Sequence, residues 1–171
     1  MASEYARVLR SIWGDPDWRE LDAESQRLYL LMVSQPTISN AGVLPFQLRR
    51  WAQTAADGTL QKTRRAFGQL ELRRYTVTDP ETEETLVRSY VRHDGALSIP
   101  NVTKAFCTAV RAIQSADLRD VVISETARLV DSYGSDAMPP KGLPTLMRPM
   151  SLGGLAECIS PRLAKPLRAV S

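Results

Sequence analysis

The most restrictive feature of this sequence is the very short interval between two helical patterns that lie just after Pro45. Proline suits the first position of a helix, and Asp57 and Gly58 end that helix. Thr59 can then cap a further helix that runs to about Leu72. The first helix of the pair has an apolar face formed by Leu48, Trp51, Ala52 and Ala55. Two helices joined by so short a glycine-containing turn are typical of a helix-turn-helix.

A helix and a short strand are predicted upstream of this pair. Asp22 can cap a helix that continues to about Ser34, and Pro36 ends it. Residues 37–44 predict a short strand or a tight loop. Residues 5–21 predict an extended or irregular lead with a turn at its centre.

Two runs rich in β-branched residues follow the second helix of the pair. They cover residues 75–78 and 85–91 and flank the polar turn 79–84, which predicts a β-hairpin. The order helix, short strand, helix, turn, helix, hairpin is that of a winged helix-turn-helix domain. The predicted fold class is therefore mainly α with a small β-hairpin, and the winged domain covers residues 1–95.

Two helices and a proline-rich tail are predicted after the winged domain. Residues 96–133 form a helical extension of two amphipathic helices, the first capped by Asn101. These helices either pack against the winged domain or form a dimer, which would place two recognition helices about 34 Å apart. Residues 134–171 contain recurring prolines and are predicted to be an extended or disordered tail, with at most one short helix near Leu155.

The helix after Thr59 presents long hydrogen-bonding side chains on the side opposite its apolar face. In the major groove, Arg and Lys hydrogen-bond guanine, and Gln pairs with adenine. The predicted base-reading residues are Gln61, Lys62, Arg65 and Gln69. Gly68 lies on the same side and weakens the helix by about 1 kcal/mol relative to Ala, which close approach to a backbone would explain. The alternative is a helix face that is only solvated.

Basic residues cluster around this helix, although the net charge of the whole chain is only +3. Such residues bind phosphates and set the register without specifying sequence. The predicted phosphate-binding residues are Arg49, Arg50, Thr59, Arg64, Arg73, Arg74, Arg88 and Arg92. The turn of the predicted wing is acidic, so we expect phosphate to repel it and keep it outside the minor groove. Its acidic residues are Asp79, Glu81, Glu83 and Glu84.

Three stretches carry a resemblance to a known family: SIWGDPDWRELDAESQRLYLLMVSQP, AGVLPFQLRRWAQTAAD and LVRSYVRHDG. Over about residues 5–115 the chain resembles helix-turn-helix, replication-initiator-like proteins of actinobacteria and their phages. The resemblance implies a winged helix-turn-helix fold and DNA binding, in phage or plasmid replication or in gene control. It supplies no catalytic residues. The segment LQKTRRAFGQ is more basic than in that family and the tail does not align with it, which leaves the DNA site and the partner open.

The sequence offers no set of residues for catalysis, metal binding or cofactor binding. Its one histidine, His93, stands beside Asp94 without a nucleophile motif. Cys107 and Cys158 cannot supply the paired ligands of a zinc site, and we expect them to be reduced packing residues. There is no GxxxxGK[ST] segment to hold a nucleotide. We therefore predict no catalytic residues, no metal, no cofactor and no enzymatic activity.

Membrane and secretory segments are not expected either. No apolar run reaches the ~18 residues that span a bilayer. Arg7 and Arg10 interrupt the N-terminal apolar residues before a secretory signal can form. We expect no membrane association and a cytoplasmic location in a bacterial host cell.

The predicted function is sequence-specific binding of double-stranded DNA by a phage-related protein, in replication initiation or transcriptional control. The C-terminal third would recruit a replication or host protein, and a homodimer is a further alternative. The competing prediction is a winged-helix adaptor that binds a host or replication factor without specific DNA binding. The salt dependence of duplex binding separates the two.

Overall fold

A computed structural model of the chain describes residues 6–93 and 100–134, with side chains over 6–92 and 102–129. This part is mainly helical with one small antiparallel sheet, which confirms the predicted fold class at that level. A 3-10 helix at Arg10–Gly14 comes first. The later elements are α1 (Pro16–Arg19), α2 (Ala23–Val33), β1 (Val43–Pro45), α3 (Leu48–Ala52), α4 (Leu60–Leu72), β2 (Thr76–Asp79), β3 (Glu84–Val87), α5 (Tyr90–His93), α6 (Pro100–Ala112) and α7 (Ala116–Gly134).

The N-terminal ends of α2 and α4 are fixed by the side chains expected to cap them. Asp22 Oδ1 accepts a hydrogen bond from Ser25 N at 2.8 Å, and Thr59 Oγ1 accepts one from Lys62 N at 3.3 Å. The hydrogen bonds from Ser25 lower the pKa of Asp22 below its ordinary value. Both helices therefore begin where the sequence predicted, and α4 also ends at the predicted Leu72.

The strands form a sheet in the order β1-β3-β2, with β3 in the centre. Both neighbours run antiparallel to β3, and Leu86 pairs with Val43 on one side and with Val77 on the other. Because side chains alternate along a strand, Leu86 and Val87 point to opposite faces of the sheet. Leu86 is 1% exposed and Val87 is 0% exposed, so both faces of the sheet are covered.

One face of the sheet packs against the helices α1 to α4. This first core contains Trp18, Leu21, Leu28, Met32, Leu44, Trp51, Phe67, Leu70 and Val87. At its rim, Trp18, Tyr29 and Tyr75 contact one another edge to face, with ring centroids 5.3 to 6.2 Å apart. The first core thus joins the lead segment to the sheet and to α4.

The other face of the sheet packs against α6 and α7. This second core contains Val43, Leu86, Val91, Phe106, Val110, Ile113, Leu118 and Val122. Of the two alternatives for these helices, packing within the chain is the one that the structure contains. The predicted domain boundary at residue 95 and nearly all of the predicted tail, from residue 135 onward, lie outside the described residues.

Five local predictions are wrong. Helix α3 ends at Ala52, where the Thr54 hydroxyl donates a hydrogen bond to the Trp51 carbonyl oxygen, so residues 53–59 connect it to α4 and the connection is longer than the predicted turn. Helix α6 begins at Pro100, so Asn101 lies within the helix and does not cap it.

Pro45 ends strand β1 instead of starting a helix, because it pairs with Glu84 at the edge of the sheet, where a missing N–H is tolerated. The second hairpin strand ends at Val87 instead of continuing through residue 91, and α5 follows it. The lead is not irregular, because Asp15 caps the short helix α1.

The expectation of reduced thiols is also wrong for Cys107. Its side chain is buried in the second core at 3% exposure, as a packing residue should be, but it is disulfide-bonded. Reduced and disulfide-bonded cysteines are both often buried in apolar cores. The apolar pattern around Cys107 therefore does not predict which of the two states it has. Cys158 lies outside the described residues.

Gly58 in the turn before α4 is expected to tolerate no side chain. A Cβ at this position would lie 1.9 Å from the carbonyl oxygen of Ala52, whereas a Cβ at Gly14 would meet no atom within 4 Å. We expect Gly58→Ala to lower the free energy of unfolding by about 1–3 kcal/mol, the range for overpacked sites, and Gly14→Ala to change it by less than about 0.5 kcal/mol. Urea denaturation followed by circular dichroism measures both. Equal stability of Gly58→Ala and the wild type would contradict the tight turn.

Candidate nucleic-acid interface

Helix α4 is held on its buried side by α2 and α3. Its buried residues are Thr63, Ala66, Phe67 and Leu70. The ring centroid of Phe67 lies 5.9 Å from that of Trp51 and 5.1 Å from that of Phe46. Ser25 of α2 is fully buried, and its Oγ donates a hydrogen bond to the carbonyl oxygen of Ala66 at 3.3 Å. These contacts turn the opposite side of α4 outward.

The outward side of α4 carries four residues that we call the outer stripe: Gln61, Arg65, Gly68 and Leu72. At 3.6 residues per turn they fall within roughly 60° of one another around the helix. All four are exposed, and Leu72 is 83% exposed. Two of the four predicted base-reading residues, Gln61 and Arg65, therefore lie side by side on this stripe.

The other two predicted base-reading residues, Lys62 and Gln69, contact the rest of the chain. Lys62 Nζ lies 2.8 Å from Asp57 Oδ2 and 3.2 Å from the Asp57 carbonyl oxygen. The hydrogen bond to Asp57 raises the pKa of Lys62. Gln69 Oε1 lies 3.3 Å from Ser25 Oγ and shares the single hydroxyl proton of Ser25 with the carbonyl oxygen of Ala66. Gln61 and Arg65 are thus the predicted base-reading side chains best placed to reach a base.

An open groove beside the outer stripe is lined by three arginines, Arg49 and Arg50 from α3 and Arg64 from α4. Gln47 and three apolar residues complete its lining: Phe46, Leu48 and Leu60. Among the described residues, these arginines and Arg65 form no ion pair. Guanidinium groups present a fork of donors that matches phosphate oxygens. The groove therefore suits the phosphates of a nucleic-acid backbone.

Three other predicted phosphate-binding residues take part in contacts within the fold. Thr59 caps α4 through its hydroxyl. Arg73 pairs with Glu20, with 2.6 Å between Nη1 and Oε2. Arg74 has a φ of 59°, and its carbonyl oxygen accepts a hydrogen bond from Arg88 Nη1 at 3.1 Å. The side chain of Arg74 is exposed at the C-terminal end of α4, so it stays available to a phosphate there.

Arg88 and Arg92 face α7. Both guanidinium groups bind the carboxylate of Glu125, which is 3% exposed, and Arg128 contacts the same carboxylate at 3.3 Å. Burial alone would raise the pKa of Glu125, but the hydrogen bonds and charges of Arg92 and Arg88 outweigh it and lower the pKa. Because these ion pairs bind Arg88 and Arg92 into the fold, we leave both out of the proposed interface.

The acidic end of the hairpin binds the start of α7. The Glu84 carboxylate accepts hydrogen bonds from Gln114 N at 3.0 Å and from Ser115 N at 2.9 Å. A hydrogen bond from the Ser115 side chain lowers the pKa of Asp79. Carboxylates are favourable at this end of a helix, where free N–H groups carry partial positive charge. Glu84, one of the four acidic residues expected at the wing tip, is thus tied to α7.

Two carboxylates that the sequence does not single out, Glu125 and Asp57, bind basic residues predicted to contact DNA. Glu125 binds Arg88 and Arg92, and Asp57 binds Lys62. Glu125 follows Leu118 and Val122 on the apolar face of α7, and a carboxylate at such a position is the signal that it needs a partner. The sequence indicates Asp57 only as part of a helix stop. Its pairing with Lys62 depends on how the turn folds back on α4, which no spacing rule supplies.

Other kinds of site receive no support from the described residues. They contain no group of His, Cys, Asp and Glu that could hold a metal ion, and none of their helices has the length and apolarity to cross a bilayer. Comparisons with protein-family models, with curated proteins and with solved structures find no match to this chain. The geometry of α3 and α4 is therefore the feature that points to a function.

Glu125 provides a test of the ion-pair cluster. We expect Glu125→Gln to lower the free energy of unfolding by about 2–3 kcal/mol at pH 7, because Arg88 would remain half-buried without its carboxylate. This expected loss of stability is smaller than the loss on breaking a fully buried ion pair, because Arg92 is half-exposed. Urea denaturation measures it, and the exposed Asp120→Asn on the same helix is the control.

The difference between the wild type and Glu125→Gln should also depend on pH. The folded-state pKa of Glu125 is lowered, so its stabilisation is present above the ordinary value of 4.5 and is lost as pH falls through the folded pKa. Denaturation at pH 7 and at successive values below 4.5 should therefore show the difference narrowing. A constant difference would mean that the charge of Glu125 is not what stabilises the fold.

Proposed function

We propose that residues 22–87 form a winged helix-turn-helix that binds double-stranded DNA sequence-specifically, without catalysing a reaction. The observation that carries this proposal is the outward side of α4, where Gln61 and Arg65 lie beside a groove lined by three arginines that form no ion pair within the described part of the chain. Arg and Gln side chains on a helix are the common readers of guanine and adenine in the major groove. In this proposal α4 is the recognition helix.

The order of the elements supports the same proposal. Helix α2, strand β1, helices α3 and α4 and the hairpin β2-β3 follow the winged-helix plan in sequence and in strand pairing. The connection between α3 and α4, residues 53–59, contains Gly58, as helix-turn-helix turns often do, but it is longer than the usual turn of about 3–4 residues. Because Glu84 holds the hairpin against the start of α7, the proposal assigns DNA contacts to α3 and α4 and none to the hairpin tip.

The two groups of side chains have different roles in this proposal. Arg49, Arg50 and Arg64 bind phosphates and position the helix, while Gln61 and Arg65 contact base edges. Arg74, exposed at the end of α4, adds a further phosphate contact. The biological setting that we propose is replication initiation or transcriptional control in a phage-related system, following the family resemblance. In this setting the C-terminal third recruits a replication or host protein.

Selection of random duplex DNA by the purified protein tests sequence specificity. We expect an enriched motif, and we expect Arg65→Ala to bind that motif about ten-fold more weakly, because one bidentate contact to a base contributes about 1–3 kcal/mol. Lys104→Ala is the matched control, since it removes one exposed charge from α6, on the other face of the sheet. Gel-shift titration at a stated salt concentration gives the dissociation constants.

The salt dependence of binding tests the phosphate contacts. With three to four phosphates neutralised, the logarithm of the affinity should fall with the logarithm of salt concentration with a slope of about −3. Arg49→Ala should weaken binding to all duplexes alike and reduce that slope by about one. If no motif is enriched and duplex binding is weak, the proposal fails, and the adaptor that binds a protein factor becomes the better hypothesis.

A further inference from the structure

Gly68 lies in the middle of α4, where the described residues give no reason for a glycine. A Cβ at Gly68 would meet no atom within 4 Å, whereas one at Gly42 would lie 2.7 Å from Tyr90 Cβ and one at Gly58 would lie 1.9 Å from Ala52 O. Gly42 also has a φ of +78°, while Gly68 is not in the left-handed region. Glycine weakens a helix interior relative to alanine. The intramolecular packing of the described residues therefore gives no reason for the missing side chain.

Leu72 is the second unexplained residue of the outer stripe. It is 83% exposed, while the other large apolar residues in this half of α4, Phe67 and Leu70, are at most 4% exposed. Leu72 follows Gly68 by about one helical turn, so the two form one apolar surface. On the N-terminal side of this surface the stripe is polar, with Gln61 and Arg65.

We propose that DNA approaches Gly68 to van der Waals contact and that Leu72 contacts the C5-methyl group of a thymine. This inference rests on the proposed function and specifies part of its target. The thymine methyl is the apolar group that the major groove displays, and apolar side chains recognise it by contact. A helix without a side chain at its centre lets base edges come closer to its backbone.

The arrangement also gives an order of recognition along the site. The stripe from Gln61 to Leu72 rises about 16 Å along the helix axis, which corresponds to roughly five base pairs. Adenine or guanine is contacted near the N-terminal end by Gln61 and Arg65, and thymine is contacted near the C-terminal end. The selected motif should therefore contain an essential thymine at one end of the stretch that α4 covers.

Replacement of thymine by deoxyuridine tests the methyl contact. Each thymine of the selected duplex is replaced singly, and the full-length protein is titrated against each duplex. At one position we expect the wild type to bind the uracil duplex roughly four-fold more weakly than the thymine duplex. This is the change in affinity expected for the loss of one buried methyl group. Leu72→Ala should bind the thymine and uracil duplexes equally at that position. Leu9→Ala is the control, because Leu9 is 50% exposed and lies outside α4.

Gly68→Ala tests the close approach through two effects of opposite sign. Thermal unfolding of the variant should shift upward by roughly 2–4 °C, because alanine favours the helix and the site has open space. Its affinity for the selected duplex should fall on the order of ten-fold, as expected for overpacking a tight contact. Gly14→Ala, also in open space, should keep the affinity of the wild type.

The outcomes separate this inference from the proposed function. If a motif is enriched but the wild type binds thymine and uracil equally at every position, the methyl contact is refuted. If Gly68→Ala is more stable and binds DNA as tightly as the wild type, the close approach is refuted. If no duplex is enriched, the proposed function fails and this inference fails with it.

Discussion

The burial of β3 between two layers of helices is the arrangement on which the rest of the structure depends. Val87 points into the core formed with α1 to α4, and Leu86 points into the core formed with α6 and α7. A three-stranded sheet with only short strands gains little stability alone and needs packing against helices. Since β3 also pairs with both other strands, its loss would remove the support of both layers at once.

The distribution of charge follows from the same arrangement. Where the helices meet the sheet, carboxylates bind the arginines, as Glu125 binds Arg88 and Arg92. Where α3 and α4 face outward, Arg49 and Arg64 lack such a partner among the described residues. The chain therefore has a local positive surface although its net charge is small. Such a surface raises the local concentration of a polyanion and the rate of its association.

Two residues on the exposed side of α4 make the folded protein less stable than other residues at the same positions would. A glycine stands where alanine would fit, and a leucine is left in water. Residues that lower stability without a structural reason are frequent at functional surfaces, because contact with a partner selects them. The same two residues are therefore central to the proposed recognition of DNA.

The sequence by itself determined the elements whose signals are local: α2 and α4 with their caps at Asp22 and Thr59, the hairpin, and the outward position of Gln61 and Arg65. Each of these depends on hydrogen bonds or periodicity within a few residues. Only the tertiary structure decided that α6 and α7 cover the sheet, that Glu125 binds Arg88, and that Glu84 binds the start of α7. These contacts join residues about thirty or more positions apart, and no spacing in the chain specifies which surfaces meet.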